Sequence, residues 1–127
     1  MDDPDHPTIF EDMLRAIGAT PVDHAERIIC CGKSCRDCDL PEQMTRTILE
    51  SVHAARVDAM GVICPSCFDS FDTGQIRLAR KFGLGFTIPP VYFFQLLALA
   101  QGLPPAAVGL DKHKIKPENI LAVMAAG

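Results

Sequence analysis

The sequence predicts an α/β domain, a small parallel sheet with helices on both faces, and three observations carry that expectation. Short apolar runs at 27–30, 60–64 and 86–88 alternate with longer stretches of helical period. The resulting order, helix, strand, helix, strand, helix, strand, helix, is what parallel strands require, because each crossover carries a helix over the sheet. A length of 127 residues, 48% apolar and 22% charged, suffices for one core, so residues 1–127 read as a single domain.

Thr8 and Glu11 form a capping-box pattern, and Phe10, Met13, Leu14 and Ile17 recur at helical spacing until Gly18; the first element is a short amphipathic helix. After a polar break, Arg27-Ile28-Ile29-Cys30 is a β-branched run that reads as a strand ending at a cysteine pair. Residues 32–39 have neither period and read as a loop. Asp39 as cap and Pro41 in the first turn then open a long helix with Met44, Ile48, Val52, Ala55 and Ala59 inward. Met60-Gly61-Val62-Ile63-Cys64 is a continuous apolar run, the mark of a strand covered on both sides, and Pro65 ends it. A helix is expected over 66–82 with Phe68, Phe71, Leu78 and Phe82 inward, and a third strand at 86–88 before Pro89-Pro90. An apolar helix over 91–101 is closed by Gly102, and Pro104 starts a further helical turn.

The net charge of −4 and scattered Lys and Arg, apart from 112–116, argue against a nucleic-acid partner. The longest apolar run, 91–100, is interrupted by Gln95 and too short to cross a bilayer, and Met1-Asp2-Asp3-Pro4-Asp5 does not open a secretion signal. A cytoplasmic protein is expected. In that setting six cysteines point to metal or redox use before a disulfide scaffold.

Four of those cysteines fall in a CCG and CPxC arrangement: Cys30-Cys31-Gly32, then Cys64-Pro65-Ser66-Cys67. Thiolates are the soft ligands that zinc and iron–sulfur clusters prefer. Neighbouring residues on a strand point to opposite faces, so the doublet can serve one site only if the backbone bends, which Gly32 permits. A single zinc ion would more naturally use two CxxC knuckles, whereas a cluster of several irons accepts adjacent thiolates at different irons. Cys64 and Cys67 straddle a strand end and a helix start, where amide N–H groups stabilise thiolate. Binding sites in open parallel sheets gather beyond the carboxyl ends of strands, where both motifs are expected. Cys30, Cys31, Cys64 and Cys67 are the candidate metal ligands.

These motifs, together with Phe68-Asp69-Ser70-Phe71-Asp72 and the segment IPPVYFFQLLALAQGLPPAAVGLDKHKI, give the chain a resemblance to the cysteine-rich CCG domain found in the B subunit of heterodisulfide reductase. Glycolate oxidase iron–sulfur subunits share that domain. The resemblance runs from about residue 2 to about residue 116, and it implies an oxidoreductase subunit. It also implies a non-cubane 4Fe–4S cluster held by five cysteines, a ferredoxin-like iron–sulfur subunit and other oxidoreductase subunits as partners, and electron transfer to a small-molecule disulfide or thiol substrate. The family's first cysteine would lie upstream of Met1. The chain is therefore expected to resemble the C-terminal part of such a domain, without its leading strand, as a fragment or split gene product.

Cys35-Arg36-Asp37-Cys38 departs from the family pattern. Cys35 and Cys38 are candidates for an additional ligand, a second zinc knuckle or an exchangeable dithiol, against the plain reading of two loop thiols with no common task. Two other functions stay open: a zinc-stabilised scaffold or interaction domain, and a thioredoxin-like dithiol reductase, for which CPSC at a helix start is the only cue. His24 reads as a polar loop residue before a ligand, His53 as a surface residue, and His6 and His113 as terminal or loop residues. Lys33 and Arg36 read as solvated loop charge that could also offset thiolate charge.

Overall fold

The structure, a computed structural model, describes residues 1–36 and 39–126. Its elements run α1 (Ile9–Ala16), α2 (Leu40–Ala54), β1 (Met60–Val62), α3 (Pro65–Phe71), α4 (Thr73–Phe82), β2 (Pro90–Tyr92), α5 (Phe93–Ala100), two 3-10 turns (Pro105–Val108 and Leu110–Lys112) and α6 (Glu118–Ala126). The architecture is α/β, as expected. β1 and β2 pair in parallel, with Met60 opposite Pro90, Gly61 opposite Val91 and Val62 opposite Tyr92. Among the described residues no helix is long and apolar enough to cross a membrane.

Side chains alternate across a strand, so the two faces of this small sheet feed two cores. Met60 and Val62 join Ile48, Leu49 and Val52 of α2, Phe71 of α3, Leu78 of α4, and Cys31. Val91 joins Leu99 of α5 and Leu110. Phe10 and Leu14 of α1 lie over Gly61, and Phe10 meets the edge of Phe93 at 5.9 Å.

Four local expectations are corrected. The Thr8/Glu11 capping box does not form. The carboxylate of Asp2 takes the N–H groups of Thr8 (3.0 Å) and Ile9 (3.1 Å), while Glu11 binds Arg27 at 2.7 Å. A charged acceptor at a helix start outcompetes a hydroxyl.

The expected strand at 27–30 is replaced by a turn over 25–28 that continues into unpaired chain, with Arg27 N–H on His24 C=O and Ile29 N–H on Glu26 C=O. A strand needs a neighbour's ladder. Arg27 is anchored instead to Glu11 and to the Pro7 carbonyl at 2.8 Å, and Ile28 and Ile29 stay exposed. The cysteine doublet is therefore placed by a turn and not by a strand end.

The single helix expected over 66–82 breaks at Asp72 (φ −96°, ψ −87°). The buried Asp72 carboxylate accepts the N–H groups of Lys114 (2.9 Å) and Ile115 (2.8 Å), so a distant segment fixes the break.

The last strand lies at Pro90–Tyr92, not at 86–88. The fully buried Gln75 amide explains the shift. It donates to the Ile88 carbonyl (2.8 Å) and accepts from the Ile88 N–H (2.7 Å), while also donating to the Phe71 carbonyl (2.6 Å). One side chain thus meets the backbone groups of Ile88 that a neighbouring strand would have met.

Candidate functional site

The doublet turns at Gly32, whose φ is +79°. This bend sends the two cysteines to different environments: Cys31 is 2% exposed and joins the core, while Cys30 is exposed with its sulfur accepting the Gly32 N–H at 3.4 Å. The Cys31 carbonyl accepts the buried Thr45 hydroxyl (3.2 Å), and its sulfur accepts the Ser70 hydroxyl at 3.7 Å. A Cβ at position 32 would lie 2.7 Å from Met44 Sδ and 3.3 Å from Pro41 Cα. Gly32→Ala is therefore expected to cost about 2 kcal/mol or more, from left-handed backbone strain and the crowding against Pro41. Urea unfolding checks it, and an unchanged midpoint refutes it.

Cys64 caps α3 in extended backbone (φ −94°, ψ 128°), and Pro65 starts the helix. Its exposed thiol faces the backbone N–H groups of Cys67 and Ser66, which lower its pKa below the ordinary cysteine value. Cys67 lies one turn inward, half-buried. Burial, then a hydrogen bond from its thiol to Cys31 and the charges of Cys31 and Cys64, push its pKa up to about 12. Tyr92 stands beside this pair, its hydroxyl pKa raised by burial and then by the Cys64 charge. Phe68 stacks on Tyr92 at 4.5 Å and meets the ring of His113 edge-on at 4.8 Å.

Cys67 thus lies against Cys31, from a motif far away in sequence, and near Cys64, while Cys30 sits at the bend next to Cys31 in sequence but on the exposed side. Cys35 is also exposed, with its N–H on the Gly32 carbonyl at 2.8 Å. Cys38 lies outside the described residues. Among the described residues no group of three or more His, Cys, Asp and Glu side chains is arranged to hold a metal ion. His24 pairs with Ser51 Oγ at 3.3 Å, and exposed His53 stacks on Phe86 at 3.8 Å. Lys33 makes an ion pair with Asp69 of α3, which ties the loop after the doublet to the helix that carries Cys67. His113, expected as an ordinary loop residue, is buried, beside Gln95 Nε2 at 3.0 Å.

Sequence patterns carry no signal for Thr45, Ser70 or His113, because each acquires its role only through tertiary contact. The chemical outcome is an exposed thiol disposed to ionise, next to a sheltered one held protonated. In metal-free, reduced protein, iodoacetamide near neutral pH is expected to modify Cys64 well before Cys67, since thiolate is the reactive form. Mass spectrometry of partially alkylated protein checks the order, and equal labelling of the two contradicts it.

No family model matches the chain. It is 32% identical over 124 residues to the B subunit of the ferredoxin:CoB-CoM heterodisulfide reductase of Methanosarcina mazei, covering 94% of this chain and 41% of that protein. The B subunit of the ferredoxin/F(420)H(2)-dependent CoB-CoM heterodisulfide reductase of Methanosarcina acetivorans is 33% identical over 120 residues, 91% of this chain and 40% of the relative. The 8-methylmenaquinol:fumarate reductase membrane anchor subunit of Wolinella succinogenes is 27% identical over 115 residues, 87% of this chain and 39% of the relative. The chain spans about two fifths of the length of these relatives. Relatives named as the B subunit of heterodisulfide reductase, or as proteins like it, cover most of the chain at 27% to 33% identity, which supports that family.

Proposed function

We propose that this chain is the cysteine-rich part of an iron–sulfur oxidoreductase of the kind represented by the heterodisulfide reductase B subunit. In this reading Cys30, Cys31, Cys64 and Cys67 hold a non-cubane 4Fe–4S cluster, and electrons from a ferredoxin-like subunit reach a disulfide or thiol substrate in the cytoplasm. The observation that carries the reading is the meeting of Cys31 with Cys67, next to Cys64, from two separate motifs.

The donor set fits such a group in its chemistry. It is all thiol, and amide N–H groups already favour thiolate at Cys64. A zinc ion needs its ligands closed on one point, whereas irons spread through a cluster can take thiolates at separate positions. The thiols here range from the core at Cys31 to the surface at Cys30 and Cys64, a distribution that suits separate irons better than a single ion. When bound, the cluster would supply one-electron redox chemistry.

The chain's own groups would set the conditions for it. Cys64 and Cys67 would bind from the start of α3, and Cys31 from the core side. The Ser70 hydroxyl bond to the Cys31 sulfur would lower that ligand's electron donation. Tyr92 and Phe68 would keep water from one side of the thiols.

The asymmetric pair Cys64 and Cys67 also favours a second reading, dithiol exchange without metal, with Cys64 attacking and Cys67 protonated. Iron, sulfide and zinc analysis with visible absorption on anaerobically reconstituted protein separates the readings. Iron and sulfide with a broad brown absorption are expected. A colourless protein with stoichiometric zinc, or metal-free protein that reduces disulfides, overturns the cluster assignment.

A further inference from the structure

Along α4, on a chain of net charge −4, lies an open groove of about 650 Å³ lined by Thr73, Ile76, Arg77, Arg80, Lys81 and Lys114. Four of these six residues are cations. Arg77 and Lys81 share Glu42 across the groove edge, the nearer contact being Lys81 to Glu42. Arg80 and Lys114 make no ion pair among the described residues.

Local helix physics accounts for only part of this clustering. Arg80 and Lys81 stand in the last turn of α4, where cations complement the helix dipole. Arg77 is a turn earlier, four residues from Lys81, a like-charge spacing that destabilises a helix. Lys114 comes from a separate segment, brought over the groove by the bonds of its own and the next N–H to Asp72.

We propose that this groove is a docking surface for an acidic protein segment, one that sets carboxylates against Arg80 and Lys114 and an apolar side chain against the half-buried Ile76. A small anion is less well suited. Sites for small molecules are concave and converge buried polar groups on the ligand, whereas here long flexible cations ring a shallow floor with one hydroxyl, Thr73. A nucleic acid is disfavoured by the whole chain's negative charge, which a long polyanion would meet beyond the groove. A short acidic segment meets only the groove and its rim, where Glu42 is already paired with Arg77 and Lys81 and the Asp72 carboxylate is held by two N–H groups; charges beyond about 8 Å are screened at physiological salt. The proposal is independent of what the thiols hold.

Fluorescence anisotropy on the full chain tests it, with a labelled twelve-residue Glu/Asp-rich peptide carrying one central Leu. Its Gln/Asn counterpart, tripolyphosphate and a twelve-nucleotide single-stranded DNA serve as competitors. The acidic peptide is expected to bind, to weaken with salt, and to lose about tenfold or more in affinity when Arg80→Glu and Lys114→Glu are combined. Lys112→Glu, a charge reversal outside the groove, is expected to leave affinity within about twofold. If the double reversal unfolds by circular dichroism, Arg80→Gln with Lys114→Gln replaces it, with a smaller loss in the same direction. The proposal is overturned if the peptide does not bind, or if the neutral peptide, tripolyphosphate or the oligonucleotide binds as tightly. It is also overturned if Lys112→Glu weakens binding as much as the groove variant. Iron content measured on the same variants reports separately on the thiol site.

Discussion

Cys64→Ser and Cys67→Ser are each expected to lower iron content after anaerobic reconstitution by about tenfold or more, while far-ultraviolet circular dichroism keeps its helical signal. The split follows from where each effect lives. In the proposed cluster site, iron retention would depend on thiolate at the start of α3, and a serine hydroxyl stays protonated at neutral pH and is a harder, poorer ligand for iron. The helices depend on apolar contacts among Phe71, Leu78, Ile48 and Leu49; Cys67 packs only against the margin of this cluster, and exposed Cys64 is not part of it. Cys64→Ser is the cleaner variant, because Cys64 is exposed and its replacement leaves no gap in the core. Unchanged iron in both variants removes these residues from the ligand set, and the same experiment on Cys30→Ser and Cys31→Ser extends the test to the doublet. Cys35→Ser with Cys38→Ser should matter only if those thiols complete the site.

Gln75→Met should be among the most damaging single changes away from the thiols. The methionine fills a similar volume but can neither donate to the carbonyls of Phe71 and Ile88 nor accept from the Ile88 N–H. Three backbone groups then lose a buried partner at once, a loss of roughly 3–5 kcal/mol, against total stabilities of about 5–15 kcal/mol for domains in general. Chemical unfolding followed by circular dichroism measures the change. A loss under about 1 kcal/mol would mean that water or a shifted backbone satisfies these groups.

Gln75 also shows why part of the fold was not legible in the sequence. Residues 86–88 have strand composition, yet the N–H and carbonyl of Ile88 are met by a side chain thirteen positions away, and the strand forms four residues later, at Pro90–Tyr92. The break at Asp72 has the same origin, since it answers to N–H groups at 114 and 115. The run at 27–30 failed as a strand because composition says nothing about whether a neighbouring strand is available to pair with it. By contrast, the start of α2, the apolar part of β1 and the start of α3 follow from local chemistry: Pro41 in a first helical turn, the run Met60–Val62, and Pro65 at the first helical position. The cysteine motifs were legible by spacing, and Gly32 by its place after the doublet. The inward reach of Cys31 to Cys67 was not, because it depends on packing between α2 and α3.

The contact between Cys31 and Cys67 joins positions 36 residues apart in the chain. Any bond or bound group that bridges them closes a loop of that length in the unfolded chain. Cross-linking a loop of this size removes configurational freedom from the unfolded ensemble worth roughly 3–4 kcal/mol. Whatever the thiols grip would therefore act as a clasp on the whole core around α2, β1 and α3, and its release would loosen the scaffold as well as empty the site.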